Sequence, residues 1–437
     1  MHDAYVELMR TYWTLGKIKD AKNVLRFLEK ELKKKYSLAE VDWLWGRMYE
    51  ESGNFKLAVR YFSKGAKEHE IDEELTEKIL WGQAWNFRKI GNNKKAAAIL
   101  AELKNKTSNE YSKMRFSYWL GRSYEDMKKQ DLASTEYKNL MEMDPFGYYG
   151  LLAHRQAKEK IPLEGSRLLV PLEMAKVSSK DLKYTHIDRP TIEWLLSLGE
   201  MDIAQSYLDS VSKQHLKSKN QTEDSWLAIF SYYARAGDFS GLYKQLGQMK
   251  PNLRDPLLKE HPDLLFPRPF SSEVRVASQE FDISRELIYS IMRQESAFDP
   301  RARSHADAFG LMQMLPENAR KKAHKLNVPF DGPEDLFNPE KNIILGSAFM
   351  KDLWDRYSGQ FILAVSSYNA SDDAIRGWIK TRFKGDSVAF IEDVPYEETR
   401  GYIRLVMRNL VIYNILEADG KRIDFPEWVL QLKNSST

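Results

Sequence analysis

The chain has 437 residues and contains no cysteine. Its fold therefore contains no disulfide bond, no thiolate metal site and no cysteine nucleophile. It has no run of about 18 apolar residues, so the sequence predicts no transmembrane helix. Its 66 basic and 63 acidic residues nearly balance, whereas a dedicated nucleic-acid-binding protein usually carries a marked basic excess. We therefore expect a globular protein that does not bind nucleic acid.

Two further absences concern targeting and metal binding. The first ten residues, MHDAYVELMR, lack the basic and apolar regions of a signal peptide. This favours a cytoplasmic protein or a mature fragment that has lost its targeting segment. No H-E-x-x-H or comparable ligand spacing occurs, and the eight histidines are scattered along the chain. The sequence therefore predicts no metal site and no cofactor.

The N-terminal half contains an internal repeat. Four segments align without gaps, namely residues 12–25, 49–62, 87–100 and 124–137. Each begins with an aromatic residue and continues to a turn residue: Gly16, Gly53, Gly91 and Lys128. An alanine follows five residues after each turn: Ala21, Ala58, Ala96 and Ala133. Glycine commonly ends a helix in the left-handed conformation, and alanine lets the next helix approach closely, so each segment is predicted to be a helical hairpin.

These hairpins resemble tetratricopeptide-like repeats, and two degenerate copies are predicted at 195–208 and 232–246. Residues 157–190 interrupt the pattern with proline, serine and mixed charge, and residues 250–273 contain five prolines. We place the main domain boundary in the second of these segments. The predicted organisation is repeats over 1–156, an irregular linker over 157–190, further helical repeats or linker over 191–270, and a separate domain over 271–437.

The region after residue 271 is also predicted to be helical, so the whole chain is expected to be all-α or mostly α. Ser284 is a plausible N-cap of a helix. Leu287, Ile288, Ile291 and Met292 then follow the spacing of one buried helical face. Further helices are predicted at 316–326, 339–357, 360–370, 372–382 and 396–418.

Glu295 lies four residues after Ile291 and seven after Ile288, so it shares their buried face. Burial disfavours the charged form of a carboxyl group and raises its pKa. A carboxylic acid that keeps its proton near neutral pH can act as a general acid on a glycosidic oxygen. Two alternatives remain from periodicity alone: a solvated glutamate, or a structural pair with Arg293 or another cation.

Residues 295–319, ESAFDPRARSHADAFGLMQMLPENA, resemble the catalytic signature of the soluble lytic transglycosylase family, whose catalytic domain is similar to goose-type lysozyme. The matching positions are Glu295, Ser296, Phe298, Pro300, Ser304, Ala308, Gly310, Leu311, Met312, Gln313 and Pro316. SSYNAS (366–371) and VPYEETRGYIRLVMRNLVIY (394–413) resemble two later motifs of the family. Residues 144–155 resemble a stretch upstream of the catalytic domain in its larger members. The catalytic signature and the two later motifs stand in the family's order.

The resemblance implies a helical-repeat solenoid followed by a lysozyme-like catalytic domain over 271–437. It implies a peptidoglycan lytic transglycosylase without cofactor or metal, in which Glu295 is the single acid/base. The implied product is a 1,6-anhydromuramyl sugar, formed by cleavage between N-acetylmuramic acid and N-acetylglucosamine. The implied substrate-binding residues are Ser304, Gly310, Leu311, Met312, Gln313, Tyr368, Asn369, Glu398 and Tyr402. The implied location is the periplasm or bacterial envelope, with glycan strands as the ligand and cell-wall enzymes as possible partners of the solenoid.

The chain departs from the family pattern at four positions, each expected near the cleft. Asp307 and Ser371 replace glycines, and Asp372 and Asp373 replace a stretch that contains proline and glycine. Two other functions stay open. In a lysozyme-like muramidase, Asp299, Asp307 or Asp372 would position a water molecule for hydrolysis. In a non-catalytic scaffold, the domain would only bind peptidoglycan.

Overall fold

The computed structural model of the protein describes residues 2–32, 37–69, 71–161, 182–418 and 423–433. Throughout these residues the regular secondary structure is helical, and strand pairing is limited to isolated bridges such as that between Ile161 and Ile423. The all-α prediction is confirmed. The chain divides into two compact units, Met1–Glu159 and Lys160–Thr437. None of the described helices combines the length and apolar character needed to cross a membrane.

Unit 1 is built from consecutive helical hairpins. Its described helices are α1 His2–Thr14, α2 Ile18–Leu32, α3 Ala39–Glu51, α4 Phe55–Gly65, α5 Glu73–Lys89, α6 Asn93–Lys106, α7 Glu110–Asp126, α8 Gln130–Met143 and α9 Tyr148–Ala157. Each helix packs on the next one along the chain, from α1 to α9. This succession of neighbouring helices confirms the predicted helical repeat.

The local features that predicted the hairpins are present in the structure. The four turn residues adopt left-handed φ angles of 70° at Gly16, 75° at Gly53, 76° at Gly91 and 59° at Lys128. The four alanines that follow the turns are completely buried: Ala21, Ala58, Ala96 and Ala133. A methyl group on Gly46 or Gly82 would lie within 2.8 Å of the Phe62 ring. The Phe62 side chain, at the end of the second segment, therefore fills the space between Gly46 and Gly82.

Unit 2 contains the other helices. They are α10 Arg189–Leu198, α11 Met201–Lys217, α12 Glu223–Arg235, α13 Phe239–Gln248, α14 Pro251–Glu260, α15 Ser271–Phe281, α16 Arg285–Glu295, α17 Pro316–Leu326, α18 Pro339–Arg356, α19 Phe361–Asn369, α20 Asp372–Arg382, α21 Ser387–Asp393 and α22 Glu397–Glu417. The helices α10 to α13 form two hairpins whose turns place Gly199 and Gly237 in the left-handed conformation. They coincide with the two segments predicted as degenerate repeat copies.

The helices α10 to α13 pack against the region that follows residue 271. The ring of Phe298 meets that of Phe239 edge to face, with 5.6 Å between centroids. Arg301 forms an ion pair with Asp202 of α11. The predicted boundary at 250–273 thus lies within a compact unit, and as a domain boundary it stays a prediction. Most of the predicted linker, residues 162–181, lies outside the described residues.

The helices predicted after residue 271 are found at the expected positions, and their observed ends differ from the predicted ones by at most one residue. The Ser284 side chain caps α16 by accepting a hydrogen bond from the Leu287 backbone N–H at 3.2 Å. Two helices were not predicted. In α15 only Val274 and Ala277 are buried, and α21 has seven residues, so neither gives a clear apolar stripe in the sequence.

Candidate functional site

The helix α16 carries Glu295 as its last residue. The preceding residues of the same face, Ile288, Ile291 and Met292, are completely buried. This helix packs along α22. Glu295 is half-buried, at the point where the apolar face of the helix ends. The predicted orientation of this acid is therefore confirmed.

The Glu295 carboxyl group has a hydrogen-bonded neighbour and no cation. The Tyr402 hydroxyl donates to Glu295 Oε1 at 2.6 Å. Within the described ranges, Glu295 forms no ion pair. Burial raises the pKa of Glu295 to about 7, the hydrogen bond from Tyr402 opposes the rise, and the negative charge of Glu398 adds to it. The group can therefore donate a proton near neutral pH and accept one after it has done so.

Arg293, the cation nearest to Glu295 in sequence, is bound elsewhere. Its Nε donates to the Leu265 carbonyl oxygen at 2.6 Å. Its guanidinium carbon lies 4.5 Å from the centroid of the Phe266 ring and 5.2 Å from that of Tyr243. The alternative in which Arg293 neutralises Glu295 is therefore wrong.

The helix α22 contributes Tyr402 and Glu398. These residues are four positions apart, so their side chains lie on the same face of the helix, with Glu398 one turn nearer its N-terminus. Tyr402 is 5% exposed, whereas Glu398 is exposed to solvent. The intervening Arg400 donates to the Val394 carbonyl oxygen at 2.9 Å, which fixes the start of the helix. The helix α22 thus places the buried Tyr402 hydroxyl and the exposed Glu398 carboxylate at the same site.

Ser304 and Asp307 form a tight turn before the Gly310–Gln313 segment. The Ser304 hydroxyl accepts hydrogen bonds from the backbone N–H groups of Ala306 at 3.2 Å and Ala308 at 3.1 Å. Asp307 has a φ of 56°, the conformation that glycine adopts without strain. Its carboxylate pairs with Arg303 at 2.7 Å. Asp307 therefore adopts the left-handed conformation at the position where the family pattern has glycine. The Ser304 hydroxyl stabilises the turn, and its contact with the substrate stays a prediction.

Gly310 is required by its surroundings. It has a φ of 73°, and a methyl group on it would lie 2.1 Å from the Leu336 carbonyl oxygen. The Asn342 amide donates to the carbonyl oxygens of Phe309 and Leu336, both at 2.8 Å, and accepts from the Met312 backbone N–H at 2.8 Å. Asn342 was missed in the sequence, although an asparagine within the apolar run of α18 is a signal for such a buried role.

The side chains of Leu311 and Met312 are completely buried, so a ligand can reach only their backbone. The Leu311 carbonyl oxygen accepts from the Ser296 hydroxyl at 2.8 Å, and the Met312 carbonyl oxygen accepts from the Tyr368 hydroxyl at 2.8 Å. Gln313 has a φ of 48°, and its amide nitrogen donates to backbone oxygens within the same loop. The substrate contacts predicted for these residues stay predictions.

Tyr368 and Asn369 are the last two residues of α19. Burial raises the pKa of Tyr368 well above its ordinary value, and the charge of Glu295 adds to the rise. Tyr368, Tyr402 and Glu398 are therefore brought together around Glu295. Asn369 is half-buried, and its side chain makes no hydrogen bond to another described residue. Its amide is available to a ligand.

The departures at Ser371 and Asp372 are accommodated without glycine. Ser371 has a φ of −72°, and its hydroxyl caps α20 by accepting from the Ala374 backbone N–H at 3.4 Å. Asp372 accepts hydrogen bonds from Tyr357 and, at 2.8 Å, from Arg376. Burial would raise the pKa of Asp372, but these bonds hold it below its ordinary value. Asp372 is thus a structural anion.

The absence of a metal site, predicted from the sequence for the whole chain, stays a prediction. Among the side chains that the structure describes, one group has the spacing of a metal site: Glu223, Glu260 and His261. None of the predicted site residues belongs to it. The chemistry available at Glu295 is that of a carboxyl group, a phenol and neighbouring backbone groups.

Comparisons with known proteins agree with this geometry. Residues 272–391 match the model of the transglycosylase SLT domain. The chain is 27% identical over 276 residues to the soluble lytic murein transglycosylase of Salmonella typhimurium, covering 61% of this chain and 38% of that protein. It is 26% identical over 288 residues to the soluble lytic murein transglycosylase of Escherichia coli K12, covering 63% and 40%. The chain spans less than half the length of these relatives.

Solved structures show the same fold. The lytic transglycosylase Slt of Pseudomonas aeruginosa superposes with a TM-score of 0.71 at 20% identity, over 95% of this chain and 63% of that one. The 70 kDa soluble lytic transglycosylase of Escherichia coli gives a TM-score of 0.60 at 18% identity, over 98% and 74%. The predicted fold class, a helical-repeat solenoid followed by a lysozyme-like domain, is confirmed. The chain therefore carries a transglycosylase SLT domain in residues 272–391, and the resemblance to the soluble lytic transglycosylase family is confirmed.

Proposed function

We propose that this protein is a peptidoglycan lytic transglycosylase. It cleaves the β-1,4 bond between N-acetylmuramic acid and N-acetylglucosamine and leaves a 1,6-anhydromuramyl end. The observation that carries the proposal is the state of Glu295, a half-buried acid that pairs with no cation of the described chain and whose pKa is raised by burial to about 7. The relatives named above support the same substrate class.

In the first step, Glu295 donates its proton to the glycosidic oxygen, and the bond from that oxygen to the muramyl C1 breaks. The departing sugar leaves with this proton as an alcohol. The 2-acetamido group of the muramyl sugar stabilises the positive charge that develops at C1. The Tyr402 hydroxyl donates to the carboxylate that Glu295 has become, which stabilises this charged form.

In the second step, the same carboxylate accepts the proton of the muramyl C6 hydroxyl. O6 bonds to C1 and closes the 1,6-anhydro ring, so no water is consumed and Glu295 regains its proton. A pKa near the working pH suits a group that must act first as an acid and then as a base. A second catalytic carboxylate is not needed for this sequence.

The hydrolase alternative requires a carboxylate that positions water, and the three candidates are otherwise engaged. Asp307 pairs with Arg303. Asp299 accepts the Arg301 backbone N–H at 2.8 Å. Asp372 is surrounded by the donors described above. The non-catalytic scaffold offers no reason for a glutamate whose pKa is raised to about 7.

The substrate places this activity in the bacterial envelope, and we propose a periplasmic location with peptidoglycan strands as the ligand. The helical hairpins of unit 1 offer a repeated surface of the kind that binds extended partners. Glycan strands or cell-wall enzymes are the partners proposed for it.

Product masses test the proposal. Purified sacculi are digested with the protein, and the soluble muropeptides are separated and weighed. We expect 1,6-anhydro products, one water molecule lighter than the reducing-end products that a muramidase releases from the same sacculi. Reducing-end products alone would identify a hydrolase. Binding to sacculi without any soluble product would identify a scaffold.

A further inference from the structure

Three helix ends meet at the side chain of Asp372, the first residue of α20. Arg356 is the last residue of α18, and its guanidinium lies 3.4 Å from Asp372 Oδ1. The adjacent Tyr357 donates its hydroxyl hydrogen to the same oxygen. Arg376 of α20 donates to Oδ2 at 2.8 Å. Both carboxylate oxygens of Asp372 are therefore occupied.

The third helix end is that of α19, which is connected through Ser367. The Ser367 hydroxyl donates to the Tyr357 hydroxyl oxygen at 2.8 Å. Because Tyr357 donates its own hydrogen to Asp372, the three groups form a continuous relay from Ser367 to the carboxylate. Ser367 is 7% exposed, so this relay is largely shielded from water. Hydrogen bonds that end on a charged acceptor are stronger than neutral ones.

The relay ends beside two residues that are expected to bind the substrate. Ser367 directly precedes Tyr368, whose hydroxyl reaches the Met312 carbonyl, and Asn369, whose amide is available. The Ala370 backbone N–H donates the last helical hydrogen bond of α19 to the Ser366 carbonyl oxygen at 2.8 Å. Whatever fixes the end of α19 therefore fixes the position of both side chains.

We propose that Asp372 is a positioning residue, which acts through Tyr357 and Ser367 to hold Tyr368 and Asn369 in place for the glycan. The proposal rests on the proposed function, since the ligand is the glycan strand of that reaction. Asp372 is also one of the departures from the family pattern. Here a helix cap at Ser371 and an anchored acid take the place of a turn that contains proline and glycine.

The adjacent Asp373 offers a matched control. It lies in the same first turn of α20, carries the same charge and is exposed. An effect of charge near the cleft would be shared by Asp372→Asn and Asp373→Asn. An effect of the relay would appear in Asp372→Asn alone.

The first measurement needs no substrate. Amide hydrogen exchange over residues 366–371 is compared in the parent, Asp372→Asn and Asp373→Asn. We expect faster exchange in Asp372→Asn alone, because the end of α19 loses its anchor. Unchanged exchange in this segment overturns the proposal, whatever the activity of the protein. A parent that shows no turnover on peptidoglycan would contradict the proposed function and not the anchoring.

The second measurement separates KM from kcat on a soluble glycan fragment, well below the unfolding temperature. We expect Asp372→Asn to raise KM roughly tenfold, since misplaced binding groups weaken substrate contacts. Asp373→Asn should stay within about twofold of the parent. A lower melting temperature with unchanged KM would reduce Asp372 to a stabilising residue and overturn the proposal.

Ser367→Ala provides a variant that keeps every ion pair of Asp372 and should fold even if Asp372→Asn does not. It breaks the relay at its other end, so KM should rise in the same direction by a smaller factor. Combined with Asp372→Asn, it should add little, because both changes interrupt one pathway. Fully independent effects on KM would contradict a shared relay.

Discussion

Two glutamates, the buried Glu50 of unit 1 and the half-buried Glu295 of unit 2, have pKa values shifted in opposite directions. Glu50 in unit 1 is 5% exposed and has two cations at hand, Arg47 at 2.5 Å and Lys89 at 3.3 Å. Burial would raise the pKa of Glu50, but these charges outweigh it and the pKa is lowered. Among the described residues, Glu295 has the hydrogen bond from Tyr402 and no ion pair, and burial raises its pKa to about 7. Burial raises the pKa of both residues, and the two cations beside Glu50 reverse the direction of its shift.

Asp42 of unit 1 lies between these cases. It is completely buried and has one cation, Lys64, at 2.8 Å. Burial raises the pKa of Asp42 to about 6 although Lys64 opposes the rise. The Lys64 side chain is 44% exposed, so water weakens its charge. The series from Glu50 to Asp42 to Glu295 indicates that a buried acid becomes a proton donor as its cations are withdrawn.

The strongest test of this comparison is Glu295→Gln. Glutamine has the shape of the acid but neither donates a carboxyl proton nor accepts one as a base. We expect turnover of sacculi to fall by roughly a thousandfold or more, the scale of a lost general acid. Release of soluble muropeptides measures it. Glu286→Gln, in the first turn of the same helix, serves as the control and should retain activity; parental turnover in Glu295→Gln would refute the role of this acid.

Glu50→Gln addresses the other member of the pair. Glutamine removes the buried charge that pairs with Arg47 and Lys89. We expect a destabilisation of about 1–3 kcal/mol, because these two side chains are 35% and 15% exposed and keep access to water. Because the pKa of Glu50 is lowered by folding, its stabilising contribution is present at neutral pH and is lost as the pH falls through the lowered pKa. Hydrogen exchange of α3 and α5 at neutral pH measures the loss.

In contrast to Glu50→Gln, Glu295→Gln is expected not to destabilise unit 2 at neutral pH. Folding raises the pKa of Glu295, so the native state binds the proton more tightly than the unfolded chain does. The ionised acid therefore costs stability as the pH rises from its ordinary pKa of 4.5 to about 7. A large loss of protection around α16 in Glu295→Gln would contradict the contrast with Glu50.

Helical periodicity was enough to predict the position of Glu295, because Ile288 and Ile291 define the face on which it lies. The same reasoning gave the ends of α17 to α20 and α22, where caps and apolar stripes are local features. It missed α15 and α21. The helix α15 packs on α18, which lies far along the chain, whereas α21 packs on its neighbours α20 and α22 and has only seven residues. Local signals therefore predicted the longer helices with amphipathic faces.

The chemical state of the site is a long-range property. Tyr402 lies far along the chain from Glu295, and only the packing of α16 on α22 brings the hydroxyl to the carboxylate. The absence of a cation beside Glu295 could not be read from the sequence, since Arg293 is two residues away and turns toward Leu265 instead. The sequence left open that Asp372 positions a water molecule for hydrolysis, whereas in the structure its partners are Tyr357, Arg356 and Arg376.

The smallest expected effect is a pair of opposite shifts in the pH dependence of activity. Since Glu295 must hold its proton to start the reaction, kcat/KM should fall as the pH rises through about 7. Tyr402→Phe removes a hydrogen bond that favours the carboxylate, so the pKa of Glu295 should rise. The fall of kcat/KM at alkaline pH, which is the alkaline limb of the pH profile, should then move to higher pH. Glu398→Gln removes a negative charge, so both should move to lower pH.

The opposite signs make this pair of variants informative even if each shift is small. Tyr402→Phe should also lower kcat by roughly tenfold or more, about the worth of one charge-assisted hydrogen bond, because the carboxylate formed after proton donation loses its donor. General disturbance of the cleft would change the level of activity in both variants without separating their alkaline limbs. Profiles of kcat/KM that move in the same direction would therefore show that Tyr402 and Glu398 do not set the pKa of Glu295 as their contacts indicate.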